Sequence, residues 1–301
     1  MQGDLKTAVL AAFVADSLAL GVHWVYDTAA IAGRYGRVNS LLRPELAPYH
    51  RGKEAGDLTH YGDQMLLLLC HVAERGAFDV QSFSARWRTV MASYTGYVDQ
   101  ASRQTLASLE RGVPVLDAGS TSDDFSGAAR LAPLLAAYAT KPLALVQAAA
   151  MQARLTHNSP QVLAAADLLA KASLFVQQGV EPVAALERTA GASSDFTVAD
   201  LVRRGLAARE LDSLEAVKSF GQSCSTMAGL PGAVQIVARH GRDLPTALEE
   251  NVMAGGDSAA RGMFIATLLG SGPGAVVPEQ WLQGLRCRDE VQELLARIPA
   301  A

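Results

Sequence analysis

The chain has 301 residues, half of them hydrophobic and only 6% aromatic, with a formal net charge of −4. Abundant alanine with few aromatics suits close-packed helices better than sheets, and the length allows a large buried core. A weakly acidic balance without any Lys/Arg cluster excludes nucleic acid as the expected partner, and Cys70, Cys224 and Cys287, far apart and without CxxC spacing, suit reduced thiols in a cytoplasmic setting rather than a disulfide framework or a zinc site.

In chain order, Lys6 followed by the apolar run Ala8–Ala15 faintly resembles a signal peptide, but Asp16 interrupts it. No apolar run reaches the roughly 18 residues a membrane span requires, so no membrane is expected and the reading is a cytoplasmic protein. Val9, Phe13 and Leu20 recur at helical spacing, and Asp16 falls on the same stripe. Asp63 is expected to open a helix over the apolar segment Met65–Val72, with Gly76 as its stop. Phe83, Trp87, Val90 and Tyr94 form the next stripe, and Gly112 looks like a further stop. Loops are expected at Gly119–Ser126 and Gly191–Asp195, with Asp123-Asp124 as a capped turn before a helix. Leu131, Leu134, Leu135 and Tyr138 make one stripe; Val162, Ala166, Leu169 and Val176 make another. Ser159-Pro160 supplies a helix start to that last segment and Gly179 its end. Gly241 is another stop, and Asp257 opens a helix over Ser258–Leu269. Gly270–Gly274 lacks a preceding strand and a Lys-Ser/Thr pair, so it reads as a helix-terminating turn rather than a phosphate loop. No segment alternates long enough to make a strand. The expected architecture is one all-α domain over residues 1–301, with roughly a dozen helices or more.

Three carboxylates stand out. Asp16 points to the core, where a carboxylate must be paired, hydrogen-bonded or metal-bound; capping of a neighbouring helix and pairing with an arginine are the plainer outcomes. Asp63 follows Tyr61-Gly62 and Asp257 follows Gly255-Gly256. Each alone is an ordinary helix cap, yet flanking glycines let a ligand approach, and N–H groups at a helix start suit a phosphate. His60 is a candidate base or ligand, while His23, His157 and Trp24 read as structural residues. No GxSxG, Cys/His pair or HExxH spacing occurs.

Five segments in order carry a resemblance: ADSLALGVHW (Ala15–Trp24), THYGDQML (Thr59–Leu66), DDFSGAARLAPL (Asp123–Leu134), THNSP (Thr156–Pro160) and NVMAGGDSAARG (Asn251–Gly262). From end to end the chain resembles the ADP-ribosylglycohydrolase superfamily, in its crystallin-J1-like branch. That resemblance implies an all-α domain holding ADP-ribose in a cleft, two Mg²⁺ ions, and hydrolysis at ribose C1 of an ADP-ribosylated substrate. It assigns Asp63 and Asp257 as shared metal ligands and catalytic groups, with His60 and Asp16 near them in one cleft. It further gives ligand contacts to Gly255, Gly256 and Ser258, and nucleoside contacts to Ser122, Ser126 and Gly127. The family's remaining ligand positions hold Tyr61, Gly62, Ala259 and Ala260, none with a carboxylate. Asp63 and Asp257, with Asp16 as a further ligand, cannot balance two divalent ions, so at most one Mg²⁺ is expected; the other option is no metal, with paired acid and base. Two functions follow: a metal-poor hydrolase of an ADP-ribosyl or related N- or O-glycosidic bond, or a non-catalytic binder or structural protein.

Overall fold

A computed structural model of the chain describes residues 2–241 and 243–299. The chain folds into α1 (Leu5–Leu20), α2 (Thr28–Tyr35), α3 (His60–Arg75), α4 (Val80–Met91), α5 (Gln100–Glu110), α6 (Ser126–Ala129), α7 (Ala132–Ala137), α8 (Pro142–Thr156) and α9 (Pro160–Gln177). It continues through α10 (Pro182–Gly191), α11 (Phe196–Ala207), α12 (Ser213–Phe220), α13 (Thr226–His240), α14 (Leu244–Met253), α15 (Ser258–Gly270), α16 (Glu279–Gly284) and α17 (Arg288–Arg297). A short 3₁₀ turn, Pro48–His50, lies between α2 and α3. No β-strand occurs among the described residues; extended stretches meet only at the isolated bridges Val25–Gly256, Ser120–His157 and Asp124–Ser225. The all-α expectation holds. Among the described residues no helix is long and apolar enough to cross a membrane.

Side chains at the helix starts show why the chain breaks where it does. Asp4, Asp27, Asp79, Asp99, Asp195, Asp212 and Asp243 each accept a backbone N–H of the following first turn. Pro160 begins α9 behind Ser159, as expected, although the Ser159 hydroxyl turns to Gln161 instead of capping. Gly76 ends α3 in the left-handed conformation, and α15 ends in the Gly270–Gly274 turn. One stripe is off: Phe83 and Trp87 are buried, but Val90 faces solvent and Tyr94 lies beyond α4, because Met91 takes the inward position. A second boundary also differs. α3 starts at His60, three residues before Asp63, since the Thr59 hydroxyl accepts the Tyr61 N–H and Thr59 is the cap.

One continuous apolar core runs from Leu5 to Ile298, and α1 and α15 are its centre. Every residue of α15 is buried, so this helix is covered on all sides. The two helices run antiparallel: Ala8 touches Gly270 at one end and Ala15 touches Gly262 towards the other. A Cβ at Gly270 would lie 2.9 Å from the Ala8 Cα, so these helices meet backbone to backbone. The pairing brings the C-terminal end of α1, carrying Asp16, beside the N-terminus of α15, capped by Asp257. The start of α3 joins them there through Thr59 and Asp16.

Candidate functional site

The α3 start is anchored from below. Asp16, fully buried, accepts the Thr59 backbone N–H at 2.7 Å and its hydroxyl at 2.5 Å. It therefore caps a neighbouring helix, one of the two plain outcomes its sequence position allows. Burial pushes its carboxyl up to about 7 even though both Thr59 hydrogen bonds favour the charged form. A Cβ on Gly62 would sit 2.2 Å from the Asp16 Oδ2, so only glycine fits there.

Tyr61 and Asp63, two residues apart on α3, point in different directions. The Tyr61 hydroxyl reaches Asp124 Oδ2 at 3.2 Å and Asp257 Oδ2 at 3.4 Å, so one buried phenol lies between two buried carboxylates. Asp257 also caps α15 through the Ala260 N–H at 3.2 Å, and Asp124 accepts the Ser126 N–H at 2.9 Å. Burial, then the neighbouring Asp124, pushes Asp257 up to about 7; burial also raises Asp124 and the nearby Cys224 thiol. Like charges this close cannot both ionise freely, so the pair retains a proton near neutrality. Arg261, fully buried, lends Asp257 positive charge while binding the Asn251 side chain and the Gly255 carbonyl.

Asp63 instead reaches the surface. Its side chain is 23% exposed and carries a 2.7 Å ion pair with Lys53 and a hydrogen bond from the Tyr94 hydroxyl. Lys53 and Tyr94 line an open cleft of about 460 Å³ with Tyr49, His50, Gly96 and Tyr97. Trp24 stands beside it, edge-on to Tyr49 and Tyr97 at 4.9 and 5.1 Å. Its backbone is left-handed, φ +61°, unusual for a residue with a bulky side chain, and its N–H bonds the Gly256 carbonyl. Trp24 is thus half-buried, packed against the main core on one side and against Tyr49 and Tyr97 on the other. A larger cavity, about 600 Å³, opens at the other end of α15 around Gly272–Gly274, away from these carboxylates.

Under Trp24 sit His23, His50 and His60. Trp24 stacks on His23 at 4.4 Å, and His50 Nε2 lies 3.2 Å from His60 Nδ1. Burial lowers all three, His50 to about 4 and His60 to about 3, so they are neutral at neutral pH.

Each residue singled out in the sequence can now be placed. Asp63 and Asp257 share no partner: the first is held by Lys53 and Tyr94, the second by Tyr61, which also reaches Asp124. His60 is bound to His50 and lies 3.8 Å from Asp99. Ser122 accepts the Asp124 N–H, while the hydroxyls of Ser126 and Ser258 are buried without a partner. Gly127 leaves room for the His157 ring, which a Cβ would meet at 2.7 Å. Gly255 and Gly256 take φ +66° and +64°, and a Cβ on Gly256 would lie 2.2 Å from the Gln222 carbonyl. The N–H groups of Gly256 and Asp257 bond Val25 and Gln222, so this turn holds protein backbone closely. Asp124, Tyr61, Lys53, His23 and His50 are the site residues that sequence reasoning passed over as site groups. Asp124 was legible only as a cap, and His50 stands in no motif.

Asp63 is held by Lys53 and Tyr94, and Asp257 by Tyr61 and the Ala260 N–H, so the two expected Mg²⁺ ligands have separate sets of protein partners. The carboxylates close enough to share one ion are Asp124 and Asp257, with the Cys224 sulfur beside them and the Tyr61 hydroxyl across them.

Residues 3–301 match the sequence profile described as ADP-ribosylglycohydrolase. The chain is 27% identical over 305 residues to an uncharacterized protein of Archaeoglobus fulgidus, covering 99% of this chain and 96% of that one. It is 25% identical to crystallin J1A of Tripedalia cystophora, with coverage of 97% and 95%. A solved structure titled ADP-ribosylglycohydrolase-related protein complex superposes with a TM-score of 0.76 at 26% identity, over 98% of both chains.

Proposed function

Because the chain belongs to the ADP-ribosylglycohydrolase family, we propose that it hydrolyses an ADP-ribosyl or related N- or O-glycosidic bond, using fewer metal ligands than the family pattern. The observation that carries this reading is Asp63: a partly exposed carboxylate held by Lys53 and Tyr94, two residues that line an aromatic-edged cleft. Lys53 and Tyr94 fix its direction, so its free lone pairs can hold a water against ribose C1. Attack by that water breaks the bond from C1 to the side-chain nitrogen or oxygen. The water's proton passes to Asp63, and the departing group takes up a proton. That proton comes from solvent water in the open cleft, because the buried Asp124–Asp257 pair belongs to a separate group of residues around Tyr61. Of the expected ligand contacts, the unpartnered Ser258 and Ser126 hydroxyls, with Ser122, stay in this proposal; the N–H groups of Gly255 and Gly256 are already bonded to backbone and Gly127 is closed by His157.

At most one Mg²⁺ takes part, and no step above runs through it. Calorimetric titration with Mg²⁺, with and without ADP-ribose, is expected to give no more than one weak site. Two tight sites in the ligand-free protein contradict the reading.

The alternative is a non-catalytic binder of ADP-ribose-like ligands or a structural protein. It is favoured by the internal donors that engage Asp16, Asp63 and Asp257, and by the crystallin relative. Peptides ADP-ribosylated on arginine or serine discriminate the two: slow release of ADP-ribose, lost in Asp63→Asn, supports the hydrolase. No release, together with a melting temperature raised by ADP-ribose, supports the binder.

A further inference from the structure

We propose that His23, His50 and His60 bind one transition-metal ion of the zinc class, distinct from any Mg²⁺ among the carboxylates. The three imidazoles come from three separate places: the turn after α1, the 3₁₀ turn and the first residue of α3. All are buried, and each offers a nitrogen such that the three lie within 4.8 Å of one another. Around a tetrahedral ion with metal–nitrogen bonds of about 2.0–2.1 Å, ligand nitrogens stand about 3.3 Å apart. The His50–His60 contact, at 3.2 Å, already has that spacing. The third ring must close by at most about 1.5 Å.

The nitrogens themselves call for a partner. Both ring nitrogens of His23 are buried with no hydrogen bond, a costly arrangement for a group that carries a proton and a lone pair. His71 and His240 are bonded to the Asp79 N–H and the Ser213 hydroxyl, and His157 to the Thr156 hydroxyl with its Nε2 unpartnered; His23 alone has both ring nitrogens unpartnered. The surroundings are those of metal-binding histidines, whose second nitrogen faces a carboxylate. His23 Nδ1 faces Asp257 at 3.6 Å, leaving Nε2 for the ion. His60 Nε2 faces Asp99 at 3.8 Å, leaving Nδ1, the atom beside His50. Three neutral nitrogens select zinc, cobalt, nickel or copper over magnesium, which prefers oxygen. His50 also lines the 460 Å³ cleft, which gives an ion its route in and water or a ligand oxygen access to the remaining coordination position.

The inference does not depend on the glycosidic reading, and its test needs no substrate. Metal-free full-length protein is titrated with Co²⁺ and followed by visible absorption. One equivalent is expected to produce the intense bands of a four- or five-coordinate nitrogen site. Stoichiometric Zn²⁺ should abolish them and excess Mg²⁺ should not. His50→Ala should lose the bands, and His71→Ala, outside the trio, should keep them. A second measurement on the unaltered protein removes any dependence on variant folding: in ¹⁵N spectra of the six histidines, Zn²⁺ should shift the rings of His23, His50 and His60 and leave the other three in place. Absence of the bands, their survival in His50→Ala, displacement by Mg²⁺, or shifts at other histidines overturns the proposal. A cobalt spectrum without hydrolysis leaves this site standing and removes the glycosidic reading; hydrolysis without the spectrum does the reverse.

Discussion

Replacing Asp16 by asparagine changes how stability depends on pH. In the folded protein its carboxyl is pushed up to about 7, against about 3.8 when unfolded. Between those values the folded state holds a proton that the unfolded state has released. Wild-type stability from this group is therefore full below pH ~4, falls as pH rises to ~7, and is flat above. At about 1.4 kcal/mol per pH unit, the loss over that window is about 4 kcal/mol, undiminished by solvent because the group is fully buried. Asparagine copies the protonated acid: its oxygen accepts the Thr59 N–H and its amide donates to the Thr59 oxygen. At pH 4 the Asp16→Asn variant should match the wild type within about 1 kcal/mol, the scale of one imperfect hydrogen bond. By pH 8 it should be the more stable of the two, with the difference between the proteins shifted by about 4 kcal/mol. Urea denaturation at half-unit steps from pH 4 to 8 measures this, and titration of Asp257 cancels because both proteins contain it. A difference that stays constant across the range refutes the reasoning about burial.

Tyr61→Phe removes the hydroxyl between Asp124 and Asp257. It should cost about 1–3 kcal/mol in denaturant melts and move the carboxyl infrared band of Asp257 to higher pH, because a bond to its charged form is lost. Gly256→Ala forces a Cβ onto the Gln222 carbonyl in a left-handed backbone; a loss of several kcal/mol is expected, and a melting temperature unchanged within a degree or two means the turn is drawn wrongly. Asp63→Asn and Lys53→Met should abolish or strongly slow any measured glycosidic hydrolysis with little effect on melting temperature, since both side chains are partly exposed. Hydrolysis surviving in Asp63→Asn removes Asp63 from the chemistry.

The helices were legible because their signals are local. An aspartate or proline at a start and a glycine at a stop act within one turn, so α9 and α15 fall where the sequence puts them. The α3 start is less visible, because Asp63 has the local look of a cap while Thr59, the actual cap, is fixed by a contact from Asp16, 43 positions away. The site was less legible for the same reason. Tyr61 and Asp63 sit two residues apart, and only the packing of α1, α3 and α15 decides that one reaches Asp257 and the other Lys53. The aspartate nearest Asp257 is Asp124, which in sequence had only the look of a capped turn. His50 joins His23 and His60 from a 3₁₀ turn with no pattern to mark it.

The antiparallel pairing of α1 with α15 also governs the order in which the molecule can assemble. The pair joins residues near position 8 to residues near position 270, and α15 is enclosed on every side only when the intervening helices surround it. As the chain emerges from the ribosome, α1 is made first, and its inner face waits for its partner until nearly all the rest has been made. Closing so long a loop slows folding, and the exposed apolar face of α1 is a natural target for chaperones meanwhile. Asp16 and Asp257 lie at one end of that same pair, so a chain interrupted before α15 lacks Asp257 and with it half of the buried carboxylate pair.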